Sequence, residues 1–233
     1  MIDTTPRAKA AYVLKEWVKP ILIVLMIVGS LRSAVADWND VPTGSMKPTI
    51  LEGERIFVNK LAYDLKFPFT RWHLAEWGEP QRGDIVVLFS PADGRRLVKR
   101  VVGLPGDRIS MLDNHLVING VPVGYEAIAE DAAHRLIVDS GGGAVVERER
   151  LDAMTHPVLF DEGYAPARTF RTVVVPAGKY FVMGDNRDNS FDSRWFGFVE
   201  RNSIVGRATA VVASLDTQHF WRPRWHRFLR ALS

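Results

Sequence analysis

Ser45 stands where a hydroxyl can be presented for chemistry. The run Val41-Pro42-Thr43-Gly44-Ser45-Met46-Lys47-Pro48-Thr49 sets it between two prolines and beside a glycine, a combination that fixes a non-regular backbone. A serine hydroxyl is a weak nucleophile until a base takes its proton. No histidine is marked by position for that task, and the lysine two residues on, Lys47, does not match a serine-x-x-lysine pattern. Lys99 is the alternative base. In Leu97-Val98-Lys99-Arg100-Val101-Val102, strand alternation puts Lys99 on the face of Leu97 and Val101. Arg100 falls on the other face with Val98 and Val102. A lysine among aliphatic side chains is desolvated, which lowers its pKa. Half-neutrality at pH 7 requires a fall from ~10.4, a cost of roughly 4 to 5 kcal/mol. Taken singly, Ser45 also reads as a turn residue and Lys99 as the surface cation of an amphipathic strand.

A third polar cluster is Gly184-Asp185-Asn186-Arg187-Asp188-Asn189-Ser190-Phe191-Asp192-Ser193-Arg194, with nine polar positions in eleven. Such density suits a hydrogen-bonded loop that holds geometry. Calcium is the rival reading, but Arg187 and Arg194 interleave with the carboxylates and reduce the local negative charge, so no metal is expected. The chain has no cysteine, which removes thiol catalysis, disulfides and cysteine–zinc sites. Its six histidines are widely spaced, and no cofactor is called for.

The elements that must position these groups are mainly strands. Arg55–Val58, Asp84–Phe89, Leu97–Val102, Arg108–Leu112, His115–Ile118, Arg171–Val175, Tyr180–Met183 and Ala208–Val212 are β-rich runs. Asp113-Asn114 predicts a hairpin turn, and Asn119-Gly120 a second turn. Helical periodicity is weak, so the expected class is all-β: linked antiparallel sheets, barrel-like, forming a catalytic domain over 39–218. Residues 123–177 differ, with few strong strand patterns, and read as an inserted lobe. Its Ser140-Gly141-Gly142-Gly143 run lacks a following Gly-Lys-Ser/Thr and predicts a flexible loop, not a phosphate cradle.

Outside this domain lie two distinctive ends. Pro20–Leu31 is strongly apolar, and a helix extended from Val18 to Ala36 covers roughly 28 Å. The expectation is a cytoplasmic tail over 1–16 and a transmembrane anchor over 17–38, with Trp17 and Trp38 at the interfaces. Arg7, Lys9, Lys15 and Lys19 keep the N-terminus inside and deliver the domain to the outer face. A cleaved signal peptide ending at Ala34-Val35-Ala36 is the competing reading. The tail over 219–233 mixes arginine with aromatics and suits either an anionic membrane surface or packing on the domain. At 233 residues, 47% hydrophobic and 24% charged, the chain can bury a good-sized core. A net charge of +3 without a recognition motif argues against nucleic acid.

Together these runs resemble the bacterial type I signal peptidases. The resemblance rests on Pro42–Thr49, on Arg82-Gly83-Asp84-Ile85-Val86-Val87, on Val98-Lys99-Arg100-Val101-Val102-Gly103-Leu104-Pro105-Gly106-Asp107, and on Gly184–Arg194, in that order after an apolar segment. It implies a membrane-anchored serine endopeptidase that removes signal peptides from exported preproteins after small-x-small (Ala-x-Ala) sites. By the same resemblance, Ser45 is the nucleophile and Lys99 the general base. Thr43 joins the Ser45 backbone N–H in the oxyanion hole, Ser190 orients the lysine, and Asp192 with Arg194 forms a supporting ion pair. The implied partners are preprotein signal peptides, membrane lipid and, transiently, the secretion machinery. The implied location is the inner membrane, single-pass. A specialised peptidase for pilus or conjugation components is the alternative. The lobe carries none of the motifs.

Overall fold

A computed structural model describes residues 12–67, 69–70, 72–140, 144–161, 168–217 and 219–232. Arg7 and Lys9 of the expected inner flank, and Gly141–Gly143 of the expected flexible loop, lie outside the described residues.

The described residues open in helix, with a π-helical turn, Leu14–Val18, that runs into α1, Lys19–Ala34. Strands then dominate: β1 Ala36–Asp40, β2 Glu54–Asn59, β3 Asp64–Lys66, β4 His73–Glu76, β5 Ile85–Phe89 and β6 Arg96–Gly103. Next come β7 Arg108–Leu112, β8 His115–Ile118, β9 Val121–Pro122 and β10 Gly124–Ala127. The helix α2, Glu130–Ser140, leads to β11 Ala144–Leu151, β12 Met154–Asp161, β13 Phe170–Val174 and β14 Lys179–Met183. A one-turn helix α3, Ser193–Phe196, is followed by β15 Val199–Glu200, β16 Ile204–Asp216, β17 Arg222–Pro223 and β18 Arg230–Ala231.

The largest sheet runs β1-β2-β16-β5-β6-β14-β15, with β17 and β18 also paired to β16. Its ladders are antiparallel, as the sequence implied. Register shifts within β16 against β2 and β5 bend the long strand so that it serves both neighbours. Gly206 sits at one of these shifts, and a Cβ there would collide with the Asn59 carbonyl. Strand β5 is buried on both faces: Ile85 and Val87 join one core with Val41, Met46, Ile50, Ile56 and Val98. Val86 and Leu88 join a second core with Val101, Tyr180, Val182 and Ile204. At roughly 1.5 to 3 kcal/mol per buried aliphatic, these two layers are the main stabilising element around β5 and β6. A third core packs the sheet β13-β7-β8-β9 against Val102, Phe181 and Met183.

Two expectations are corrected here. The anchor over 17–38 fails at its distal end, because Ala36–Asp40 is strand β1, in register with Asn59–Arg55 of β2. Trp38 lies opposite Phe57 in that ladder. The sheet edge offers Ala36–Asp40 backbone partners that a helix extension would forgo, and Asp37, Asn39 and Asp40 do not suit a span. Helix α1 is 16 residues, about 24 Å at ~1.5 Å per residue, and the π-helical turn Leu14–Val18 continues it on its N-terminal side. Among the described residues, no helix is long and apolar enough to cross a membrane. The side chains of Ile21–Val28 are nonetheless 46–68% exposed.

The second correction concerns the lobe. Residues 123–177 are not poor in regular structure: β10, β11 and β12 form an antiparallel sheet with α2 beside it, while β13 leaves the lobe to pair with β7. Helix α2 buries none of its residues fully, so its apolar stripe is narrow and its periodicity faint. Glu130 and Asp131 in its first turn complement the helix dipole.

Candidate active site

Ser45 follows β1 in a tight turn of the serine loop. Lys47 N–H donates to the Gly44 carbonyl, and Ile50 N–H to the Met46 carbonyl. Met46 and Ile50 drop into the first core and pin the turn, leaving Ser45 part-buried at its rim. Thr43 is exposed at the head of the same turn.

Lys99 arrives from the middle of β6, opposite Val86 of β5. It is only 2% exposed, and its Nζ lies 2.6 Å from Ser45 Oγ. Burial lowers its pKa to about 8; Asp192 and Asp185 pull against that fall, and Arg194 adds to it. About a tenth of the lysine is then neutral at pH 7. A neutral amine at hydrogen-bond distance from a hydroxyl is geometry for proton transfer.

The third strand of the site is the loop after β14. At Gly184 it approaches the serine loop so closely that a Cβ would collide with the Ser45 carbonyl and the Ser190 hydroxyl. Asn186 holds the serine loop twice, its backbone N–H to the Ser45 carbonyl (3.1 Å) and its Nδ2 to the Gly44 carbonyl (3.1 Å). Asp192 accepts from Gly184 N–H and takes Arg194 in a two-pronged pair, 2.9 Å from Nε and 2.8 Å from Nη2. Burial pushes the Asp192 carboxyl up, but these donors outweigh it and hold it below the usual range. Ser190 is buried, and its hydroxyl helps to hold the Asp192 carboxyl low. Among the described residues, the Lys99 side chain is hydrogen-bonded to Ser45 and not to Ser190.

Beneath the dyad, Arg100 and Asp185 form a buried pair, at 2.9 Å through Nε and 2.8 Å through Nη2. Thr49 Oγ1 donates to the same carboxylate, and Arg100 Nη1 to the Gly83 carbonyl. One ion pair thus ties the serine loop, the lysine strand and the 184–194 loop to one another. The lobe braces that loop from outside: Leu159 N–H donates to the Asp185 carbonyl and Arg187 N–H to the Leu159 carbonyl. Arg187 also grips Glu149 through two bonds of 2.6 Å. Buried His156 lies 3.4 Å from Glu149 and 3.6 Å from Asp185; burial, with Arg100 adding, lowers its pKa to about 4. It is neutral at pH 7. Among the described residues, no three or more His, Asp or Glu side chains converge to hold a metal.

Comparison with known proteins decides what this arrangement belongs to. The family model described as "Signal peptidase, peptidase S26" matches residues 14–213. The chain belongs to the S26 signal peptidase family. It is a serine endopeptidase. Signal peptidase I of Pseudomonas fluorescens is 39% identical over 210 residues, covering 85% of this chain and 72% of that protein. Signal peptidase I of Pseudomonas aeruginosa is 36% identical, with the same coverage. Signal peptidase I P of Bacillus subtilis subsp. natto is 34% identical over 93% of this chain and 97% of its own length.

Within this family member, the sequence marked Ser45, Lys99, Ser190, Asp192 and Arg194, and the fold brings all five to one locus. It did not mark the Arg100–Asp185–Thr49 tie, the Asn186 clamp or the Glu149–Arg187–His156 brace. Arg100 did carry a signal: an arginine facing Val98 and Val102 in mid-strand must find a buried carboxylate.

Proposed function

We propose that this peptidase removes N-terminal signal peptides from exported preproteins, cutting after small-x-small sites with a Ser45/Lys99 dyad. Neutral Lys99 takes the proton from Ser45 Oγ as that oxygen attacks the scissile carbonyl. The lysine then passes the proton to the departing amine, leaving an acyl-enzyme on Ser45. Water, deprotonated by the same lysine, attacks the ester and releases the signal peptide with its new carboxylate. The Ser45 backbone N–H and the Thr43 hydroxyl face the developing oxyanion, each donor contributing roughly 3 kcal/mol. Asn186 fixes the Gly44 and Ser45 carbonyls, and so the plane in which the Ser45 N–H points.

The observation that carries this reading is the 2.6 Å contact between Ser45 Oγ and a lysine only 2% exposed. The apolar, half-exposed surface of α1 supports attachment to lipid; in this reading the domain works beside emerging preproteins on the outer face of the inner membrane. The test is cleavage of a preprotein bearing an Ala-x-Ala site by the wild type, Ser45→Ala and Lys99→Ala. Loss in both variants is expected; cleavage by either one removes the dyad.

A further inference from the structure

A cavity of about 730 Å³ opens between α2, β11, β12 and the C-terminal tail. Arg135, Arg148 and Arg230 line it, and none of the three makes an ion pair among the described residues. The one acid in its wall, Asp139, is 3.6 Å from His226, also in the wall. Arg227 lines it too, but its charge is taken by buried Glu54. The cavity therefore carries three arginines against a single carboxylate. Arg230 is held below the usual arginine range by burial and then by neighbouring Arg227, the condition an incoming anion relieves.

The cavity wall is tied to the serine loop through Arg227, and Ser140, next in sequence to wall residue Asp139, is bonded to the same loop. Arg227 Nη2 donates to the Thr49 carbonyl at 3.0 Å, and Lys47 Nζ donates to the Ser140 carbonyl at the end of α2 at 3.1 Å. Both acceptor and donor on the loop lie within four residues of Ser45. Arg227 thus joins the wall of the cavity to the loop that carries Ser45. A signal peptide is apolar and small next to its cleavage site, with its charge far upstream. An acidic side chain close to the cut thus comes from the segment after it.

We propose that this cavity is a substrate subsite for an acidic side chain of the mature segment, held by Arg135, Arg148 and Arg230. The inference rests on the signal-peptide reading above and adds a specificity to it. The wall charges belong to side chains at the surface, so the preference is modest, about threefold in KM at low salt, and fades as salt rises.

The experiment uses the full chain and peptides with an Ala-x-Ala site carrying Asp, Asn or Lys in turn at each of the first six positions after the cut. For at least one position, KM is expected to be about threefold lower for Asp than for Asn, with kcat alike. In the variant carrying Arg135→Glu and Arg148→Glu, the order inverts and the Lys peptide becomes the tighter substrate. A merely structural role for these arginines does not produce that inversion. Equal KM for Asp and Asn peptides at every position overturns the subsite. So does an unchanged order in the charge-reversed variant, or an effect of those variants on binding to phosphatidylglycerol vesicles alone. Failure of the wild type to cut any of the peptides instead overturns the signal-peptide reading.

Discussion

The arginines beneath the dyad and those around the α2 cavity are the same group in opposite settings. The side chains of Arg100, Arg187 and Arg194 are 1–2% exposed, and each grips a carboxylate through two bonds. Arg135 and Arg148 are exposed and Arg230 is partly desolvated by its neighbours, and none of the three has an ion pair among the described residues. Burial leaves an unpaired charge no water, so a buried guanidinium is bound to one partner and one geometry. An exposed one keeps its hydration and stays free to meet an incoming anion. The first set ties together the segments that carry Ser45 and Lys99; the second is the set proposed to meet an acidic side chain of the substrate.

The proposed Ser45–Lys99 dyad gives the largest contrast. Ser45→Ala is expected to lower kcat by at least about 10⁴-fold with stability nearly unchanged. Residual activity within tenfold of wild type, in a peptide cleavage assay, would remove Ser45 from the centre of the site. Next is Arg100→Met, which leaves Asp185 charged and buried and destabilises the fold by about 3–5 kcal/mol in urea unfolding. Adding Asp185→Leu should restore most of that loss; if the double variant is no better, the pair is not what binds the three segments together.

The lysine links activity to pH. Activity should rise with pH through about 8, as Lys99 loses its proton. Its pKa is lowered in the fold, from 10.5 to about 8, so between those values the unfolded chain holds the extra proton. The stability cost of charged, buried Lys99 is thus full below pH 8 and vanishes as pH rises to 10.5. Lys99→Met should therefore gain about 3 kcal/mol relative to wild type at pH 7, a gap that closes towards pH 10.5. A gap independent of pH would show that Lys99 is not desolvated. Smallest is Arg148→Gln, expected to change unfolding free energy by less than about 0.5 kcal/mol. A loss like that of Arg100→Met would erase the contrast between the two sets.

Much of the fold was legible locally. The apolar runs of β2, β5, β6, β7, β8, β14 and β16 state their strands in alternation or continuous burial, and Asp113-Asn114 is the turn between β7 and β8. Helix α2 was not legible, since a helix that buries no residue fully needs little of the apolar stripe by which helices announce themselves. The Asn186 clamp was hidden for another reason: its partners are carbonyls, which every residue type carries alike.

What the sequence determined by itself was the inventory: which groups can react, which strands carry them, and which loop is polar enough to be held rigidly. Residue types and period-two patterning are local properties. The tertiary structure alone decided that Ala36–Asp40 is a strand and not the end of a membrane span, because its pairing partner lies at residues 55–59. It alone set the 2.6 Å between groups 54 residues apart. It also chose which arginines are locked in pairs and which have no ion pair among the described residues, since desolvation is a property of the surroundings and not of the residue.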